Sequence, residues 1–132
     1  MRAAALTLAF WLGGLFAVAA QTPFLSKGWT FDEPDGASLY AHVCAACHLA
    51  DGEGTTGAGS YPALRGDQRL ASTDYLLAVL LGGQHAMPAL GRAMTDAQLA
   101  DLVNFVRRSF VGANEDLATP DRAAAARAAF KR

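Results

Sequence analysis

The chain lacks a charge excess of either sign, with 11 Lys+Arg against 12 Asp+Glu and a formal net charge of −1. That balance argues against a nucleic-acid binder that relies on a basic face. No large basic or acidic run exists from which to infer a partner's charge. Cysteine is scarce, with only Cys44 and Cys47 among 132 residues. The length suits one domain and excludes a doubly wound nucleotide-binding fold beside a second domain. There is no strand pattern and no internal repeat, and beyond the first twenty residues there is no second long apolar run.

Those first twenty residues stand apart from the rest. Arg2 and the initiating amine form a short positive region, Ala3 to Ala20 carry no charge, and Ala17-Val18-Ala19-Ala20 offers small residues for a signal peptidase. This is the pattern of a cleaved secretory signal over 1–20. The competing reading is an uncleaved anchor, which Gly13-Gly14 and the many alanines weaken. Neither cysteine lies at the cleavage site, so no lipid anchor is expected there. An exported domain of this size has a thin core and needs a disulfide, metal or cofactor to fill or staple it.

Along the remainder, 21–34 has no clear periodicity and reads as an irregular arm. Asp35 can cap a helix in which Leu39, Val43 and the pair Tyr40/Cys44 recur at i and i+4, running to about Cys47. His48 to Arg69 carries Gly52, Gly54, Gly57, Gly59, Gly66 and Pro62 and reads as a loop. A loop this long in a compact domain usually wraps something. Ser72 precedes a short helix, Thr73 to Leu81, that is apolar nearly all round and stops at Gly82-Gly83. The last core helix is the clearest. Thr95 and Gln98 form a capping box, Leu99, Leu102, Val103, Phe105 and Val106 form an apolar stripe, and Arg107-Arg108 end it favourably for the helix dipole. Beyond Gly112, Thr119-Pro120-Asp121 starts an Ala-rich segment, expected to be a solvated tail helix of marginal stability.

Cys44-Ala45-Ala46-Cys47-His48 carries the chemistry, because C-x-x-C-H is the attachment signature of a c-type haem. Cysteines at i and i+3 share one helical face, where both thiols can reach the two vinyl groups on one porphyrin edge. His48 follows at once and can serve as the proximal iron ligand. The same spacing would suit a redox dithiol or half a zinc site. The dithiol needs a βαβ context that is missing, and zinc needs a further ligand such as His42 or His85.

Haem iron takes a sixth ligand, and its identity separates functions. Met94 sits one residue before the Thr95 cap with Leu99 at the fourth helical position, the arrangement of a hydrophobic staple. Met87 lies in a non-helical stretch, Gly82 to Pro88, where no helix period claims it for a core, and Pro88 stiffens the loop after it. Met87 is therefore the expected distal ligand, with His85 its rival. His42 lies two residues before Cys44 on a different helical face and reads as a side chain near the haem edge.

In this combination the sequence resembles a class I cytochrome c over nearly all of Asp35 to Phe110. The C-x-x-C-H turn is followed by the glycine-rich loop Gly52 to Gly59, the Pro-x-Leu-like element Tyr61-Pro62-Ala63-Leu64, Met87-Pro88 and the amphipathic helix Thr95 to Phe110. The resemblance implies an all-α fold, three core helices wrapped around one covalently attached haem c. It implies that Gly36 and Tyr40 cross against Phe105, and that the Pro62 carbonyl accepts a hydrogen bond from His48. Arg65 is a candidate propionate contact, with a plain solvated arginine as the alternative. Leu64, Leu76 and Leu80, with Leu90 and Val103, are expected as haem-pocket wall. The resemblance leaves the arm at 21–34 and the Ala-rich tail at 113–132 uncovered, and assigns 35–112 to the cytochrome domain.

A haem held by both His48 and Met87 has no open position for substrate, so the expected chemistry is electron transfer rather than enzymatic turnover. The expectation is a periplasmic carrier of single electrons, either a shuttle or the dedicated haem subunit of a dehydrogenase. Its donor would be a dehydrogenase or respiratory complex, and its acceptor an oxidase, a reductase or another cytochrome. Neither nucleic acid nor, after cleavage, membrane is expected as a partner. A different class follows if Met87 does not bind: an open-site haem protein with a peroxidase-like or gas-sensing role. A zinc- or disulfide-stabilised binding module without haem is the third reading.

Overall fold

The computed structural model describes residues 30–57 and 59–130. The expected export signal at 1–20, and the arm up to residue 29, lie outside the described residues. Helix α1 (Gly36–Leu39) starts where Asp35, in extended backbone, accepts a hydrogen bond on its carboxylate from the Ser38 N–H at 2.8 Å. Those hydrogen bonds from Ser38 hold the Asp35 carboxyl below the usual aspartate range.

The helix expected to run to about Cys47 is present as an unbroken helical run from Gly36 to His48, but it is not a regular α-helix throughout. The chain widens into a π turn over Tyr40–Cys44, where the Ala45 N–H reaches back to the Tyr40 carbonyl, before α2 (Ala45–His48). A π turn inserts one residue per turn and recurs at functional sites. Here it ends on the first cysteine and leads into the turn that carries the second cysteine and the histidine. The Tyr40 hydroxyl donates to the Leu49 carbonyl at 2.7 Å, tying off the end of this helical run.

After the loop and a 3₁₀ turn at Gln68–Ala71, the Ser72 hydroxyl accepts from the Tyr75 N–H and starts α3 (Thr73–Gly82). Leu76, Leu77, Leu80 and Leu81 are all buried, as expected of a helix apolar nearly all round. A second 3₁₀ turn, Leu90–Ala93, leads to α4 (Asp96–Val111), whose Thr95/Gln98 capping box is fully formed and whose end is the left-handed Gly112. Met94 and Leu99 are both buried in the same core cluster. Among the described residues there is no strand, only isolated bridges at Thr55–Tyr61 and Gln84–Met87.

α1 crosses α4 at Gly36, where an added Cβ would lie 2.3 Å from the Asp101 carbonyl oxygen. Only glycine lets the two backbones meet this closely. One turn later Tyr40 packs on Phe105 with ring centroids 5.5 Å apart. It also packs on Phe110 at 4.9 Å, an aromatic the sequence reading does not place in the core. Phe110 fits because Gly52 faces it; a Cβ there would come within 2.6 Å of its ring.

Arg107, expected to suit the helix dipole near the end of α4, is in addition buried: it is 2% exposed and donates to the carbonyls of Ala71, Glu115 and Asp116. It thereby ties α4 to the Gln68–Ala71 turn and to the segment after the helix. One expectation gives way, because the Ala-rich tail is not a solvated helix. Helix α5 (Pro120–Phe130) lies on α3 and α4, with Ala123 fully buried. Asn104 exchanges two buried 2.9 Å hydrogen bonds with the backbone of Ala118, and Arg122 pairs with Asp74 and Asp116. Arg127 bonds to Asp96 and to the carbonyls of Gly91 and Met94. Small side chains allow close approach, and long-range arginine and asparagine contacts hold the helix in place.

Candidate haem site

The cysteine turn is set by the helical run just described. Cys44 closes the π turn and is buried; Cys47, one turn on, is half-buried, and the two are not joined in a disulfide. Burial pushes the Cys44 thiol up to about 12, and the neighbouring Cys47 adds to the effect. With no disulfide between them, both sulfurs remain thiols. Among the described residues no group of three or more His, Cys, Asp or Glu side chains could hold a metal ion. The zinc reading of the cysteine pair therefore lacks its further ligands.

His48 is 9% exposed, and its Nδ1 lies 2.9 Å from the Pro62 carbonyl oxygen. A carbonyl can only accept, so Nδ1 is the donor in this bond and Nε2 is the ring nitrogen left for a metal. The intervening loop is folded to make this contact. The Gly54 N–H donates to the His48 carbonyl at 3.0 Å, and Thr55 and Tyr61 exchange backbone hydrogen bonds of 3.0 and 2.8 Å. Leu64 and Arg65 then donate to the Gly52 carbonyl, which turns the chain back on itself after Pro62.

Of the expected wall, Leu76, Leu80 and Val103 are buried in the core, and Leu64 and Leu90 pack against it half-buried. Arg65 is on the surface. It pairs with Glu53 at 2.8 Å, donates to the Asp51 carbonyl at 2.6 Å and lies over the Phe110 ring. A propionate would have to compete with Glu53 for it. His42 is exposed and faces Glu33 of the arm, its Nδ1 3.4 Å from the carboxylate.

Met87 and His85 share one tight turn. Gln84 and Met87 exchange backbone hydrogen bonds of 2.9 and 3.0 Å, and His85 between them has φ 51°. His85 is exposed, whereas the Met87 side chain packs against the core. Met94, the other methionine of the cytochrome region, is 5% exposed in the core.

The donor set suits a covalently held haem: two unlinked thiols on successive turns, an imidazole fixed through one nitrogen with the other unused, and a core-facing thioether on a separate loop. The comparisons with known proteins agree with that fit. Residues 32–106 match the family described as cytochrome c oxidase, cbb3-type, subunit III. The chain is 35% identical over 91 residues to the fructose dehydrogenase cytochrome subunit of Gluconobacter japonicus, covering 58% of this chain and 18% of that protein. It is 39% identical over 93 residues to the gluconate 2-dehydrogenase cytochrome c subunit of Pantoea cypripedii, covering 60% and 21%. It is 27% identical over 93 residues to cytochrome c6 of a Synechococcus strain, covering 70% and 83%. The chain thus spans about a fifth of the length of the two dehydrogenase subunits. With its all-α fold and this donor set, the chain belongs to the cytochrome c oxidase, cbb3-type, subunit III family and is a c-type cytochrome, with one covalently bound haem c as its cofactor.

Proposed function

We propose that this cytochrome is a carrier of single electrons in the periplasm, with Cys44 and Cys47 as thioether anchors and His48 and Met87 as axial ligands. The observation that carries the reading is the His48–Pro62 hydrogen bond, which leaves Nε2 as the only ring nitrogen able to bind iron and sets the plane of the imidazole. Met87 is favoured over His85 because its side chain packs on the core while His85 is exposed. When bound, the haem supplies reversible one-electron transfer between ferric and ferrous iron. The protein tunes that couple. The Pro62 carbonyl strengthens His48 as a donor, the Met87 sulfur favours the ferrous form, and the buried Leu76 and Leu80 keep water away.

Ala46 and Leu49 flank Cys47 and His48 and are exposed. They form the surface nearest the attachment turn, where a redox partner would dock through a small, short-lived contact. The matched dehydrogenase subunits support a dehydrogenase as the electron donor, with an oxidase, reductase or second cytochrome downstream. The ferrous protein is expected to bind added carbon monoxide only slowly, after Met87 leaves. Immediate saturation on mixing would refute six-coordination and return the open-site reading.

A further inference from the structure

Helix α5 lies beyond residues 32–106, so the family match gives it no role. Its position does. The turn that carries Met87 springs from Gly82, the last residue of α3, and returns through the Leu90–Ala93 turn. α5 touches both ends of that base. On one side, the Phe130 ring packs so closely on Gly82 that an added Cβ would lie 2.8 Å from it. On the other, Arg127 donates from Nη1 to the Gly91 carbonyl and from Nη2 to the Met94 carbonyl, both at 2.9 Å. Its Nε donates to Asp96 at 2.8 Å, which leaves the side chain 19% exposed. Arg92 closes the base from within by donating to the Leu81 carbonyl at 3.3 Å.

Inside the loop, Gly83 has φ +74°, and a Cβ there would meet the Met87 carbonyl oxygen at 2.7 Å. The loop is therefore tightly closed on itself as well as held at its base. The opposite end of α5 is anchored independently, by Arg122 to Asp74 and Asp116.

We infer that α5 is a clamp on the Met87 loop, and that Arg127 is a positioning residue that sets how often the Met87 thioether swings away from the iron. The inference rests on Met87 being the distal ligand. Charge-assisted hydrogen bonds to backbone carbonyls are among the stronger contacts available to a surface helix. Those from Arg127 must break before the Leu90–Ala93 turn can move outward and take Met87 with it. Local openings of this kind are set by the contacts of the segment that opens rather than by global stability.

The test measures two rates in the holoprotein. One is uptake of imidazole by the ferric protein, which waits on Met87 leaving; the other is hydrogen exchange of the Met87 amide, which bonds to the Gln84 carbonyl. Arg127→Ala should raise both about tenfold, equivalent to about 1.4 kcal/mol of loop opening. Arg127→Lys, which keeps the charge but loses the fork, should fall between. Arg122→Ala removes α5's other ion pairs and should leave both rates within about twofold of the parent. The clamp is overturned if Arg127→Ala leaves amide exchange at the parental rate, or if Arg122→Ala raises the rates equally. The ligand assignment fails separately, if Met87→Ala leaves imidazole uptake at the parental rate. Amide exchange then still reports whether the clamp exists.

Discussion

Replacing Gly36 by alanine isolates the helix crossing on which the rest of the fold is built. The new Cβ would sit 2.3 Å from the Asp101 carbonyl oxygen, 2.5 Å from its carbon and 2.7 Å from the Leu102 nitrogen. All three are backbone atoms and cannot rotate aside, so α1 and α4 must part by about 1 Å to restore ordinary contact. A gap of that size forfeits about a quarter to a half of the dispersion attraction between facing groups. Leu39, Leu102 and Val103, all fully buried on these two helices, would feel it. Alanine's better helix propensity returns part of the loss, at most about 1 kcal/mol. A net cost of about 2 kcal/mol follows from overpacking of this kind. For a domain of this size that corresponds to a fall in Tm of about 8–16 °C. The assay is thermal unfolding of the holoprotein by far-UV circular dichroism, with Ala37→Ser at the exposed neighbouring position as control. The haem spectrum at 25 °C should be unchanged, because Gly36 is not among the ligands. A Tm within about 3 °C of the parent would refute the close crossing as the reason for glycine.

The two methionines should separate cleanly. Met94→Ala should cost about 2–4 kcal/mol in chemical denaturation, as deletion of a buried side chain does, and retain the ferric sulfur-to-iron absorption, whereas Met87→Ala should lose that absorption and lower the potential. Asn104→Ala strands the buried N–H and C=O of Ala118 and should cost about 2–4 kcal/mol in the same assay; a loss below about 0.5 kcal/mol would contradict the pairing. Burial raises the Tyr40 hydroxyl from 10.0 to about 12. The unfolded chain therefore releases this proton first, and the associated stability, complete below pH 10, is lost as pH rises through 12. Tyr40→Phe should flatten that alkaline decline in urea melts, and an equally steep decline would assign it to another group.

Much of this architecture is legible in the sequence where the signal is local. The Asp35, Ser72 and Thr95 caps are single residues acting on the next turn, and each is found accepting the expected N–H. The pairing of Gly36 and Tyr40 with Phe105 comes through the family resemblance, since nothing in the local pattern gives a partner 65 residues or more away. What the sequence hides is the choice of distant partners. Phe110 faces Gly52 and Tyr40, yet no periodicity marks it apart from its neighbours. Arg107 follows the rule for a helix C-terminus and is nonetheless buried, because the carbonyls of Ala71, Glu115 and Asp116 converge on it. α5 has almost no apolar stripe, so its docking is invisible until Asn104, Arg122 and Arg127 are seen to bind across it. The π turn that ends on Cys44 has no signature in the spacing of Leu39, Tyr40, Val43 and Cys44 and so escapes pattern reading too.

An absorption spectrum, oxidised and reduced, of the protein exported by a host with haem-attachment machinery would test this reading most directly. Sharp c-type bands in the reduced form, together with the weak far-red sulfur-to-iron band in the ferric form, are predicted from Cys44, Cys47, His48 and Met87 acting together. A haem spectrum without the far-red band would contradict Met87 as the distal ligand, and a colourless protein would contradict the haem site altogether.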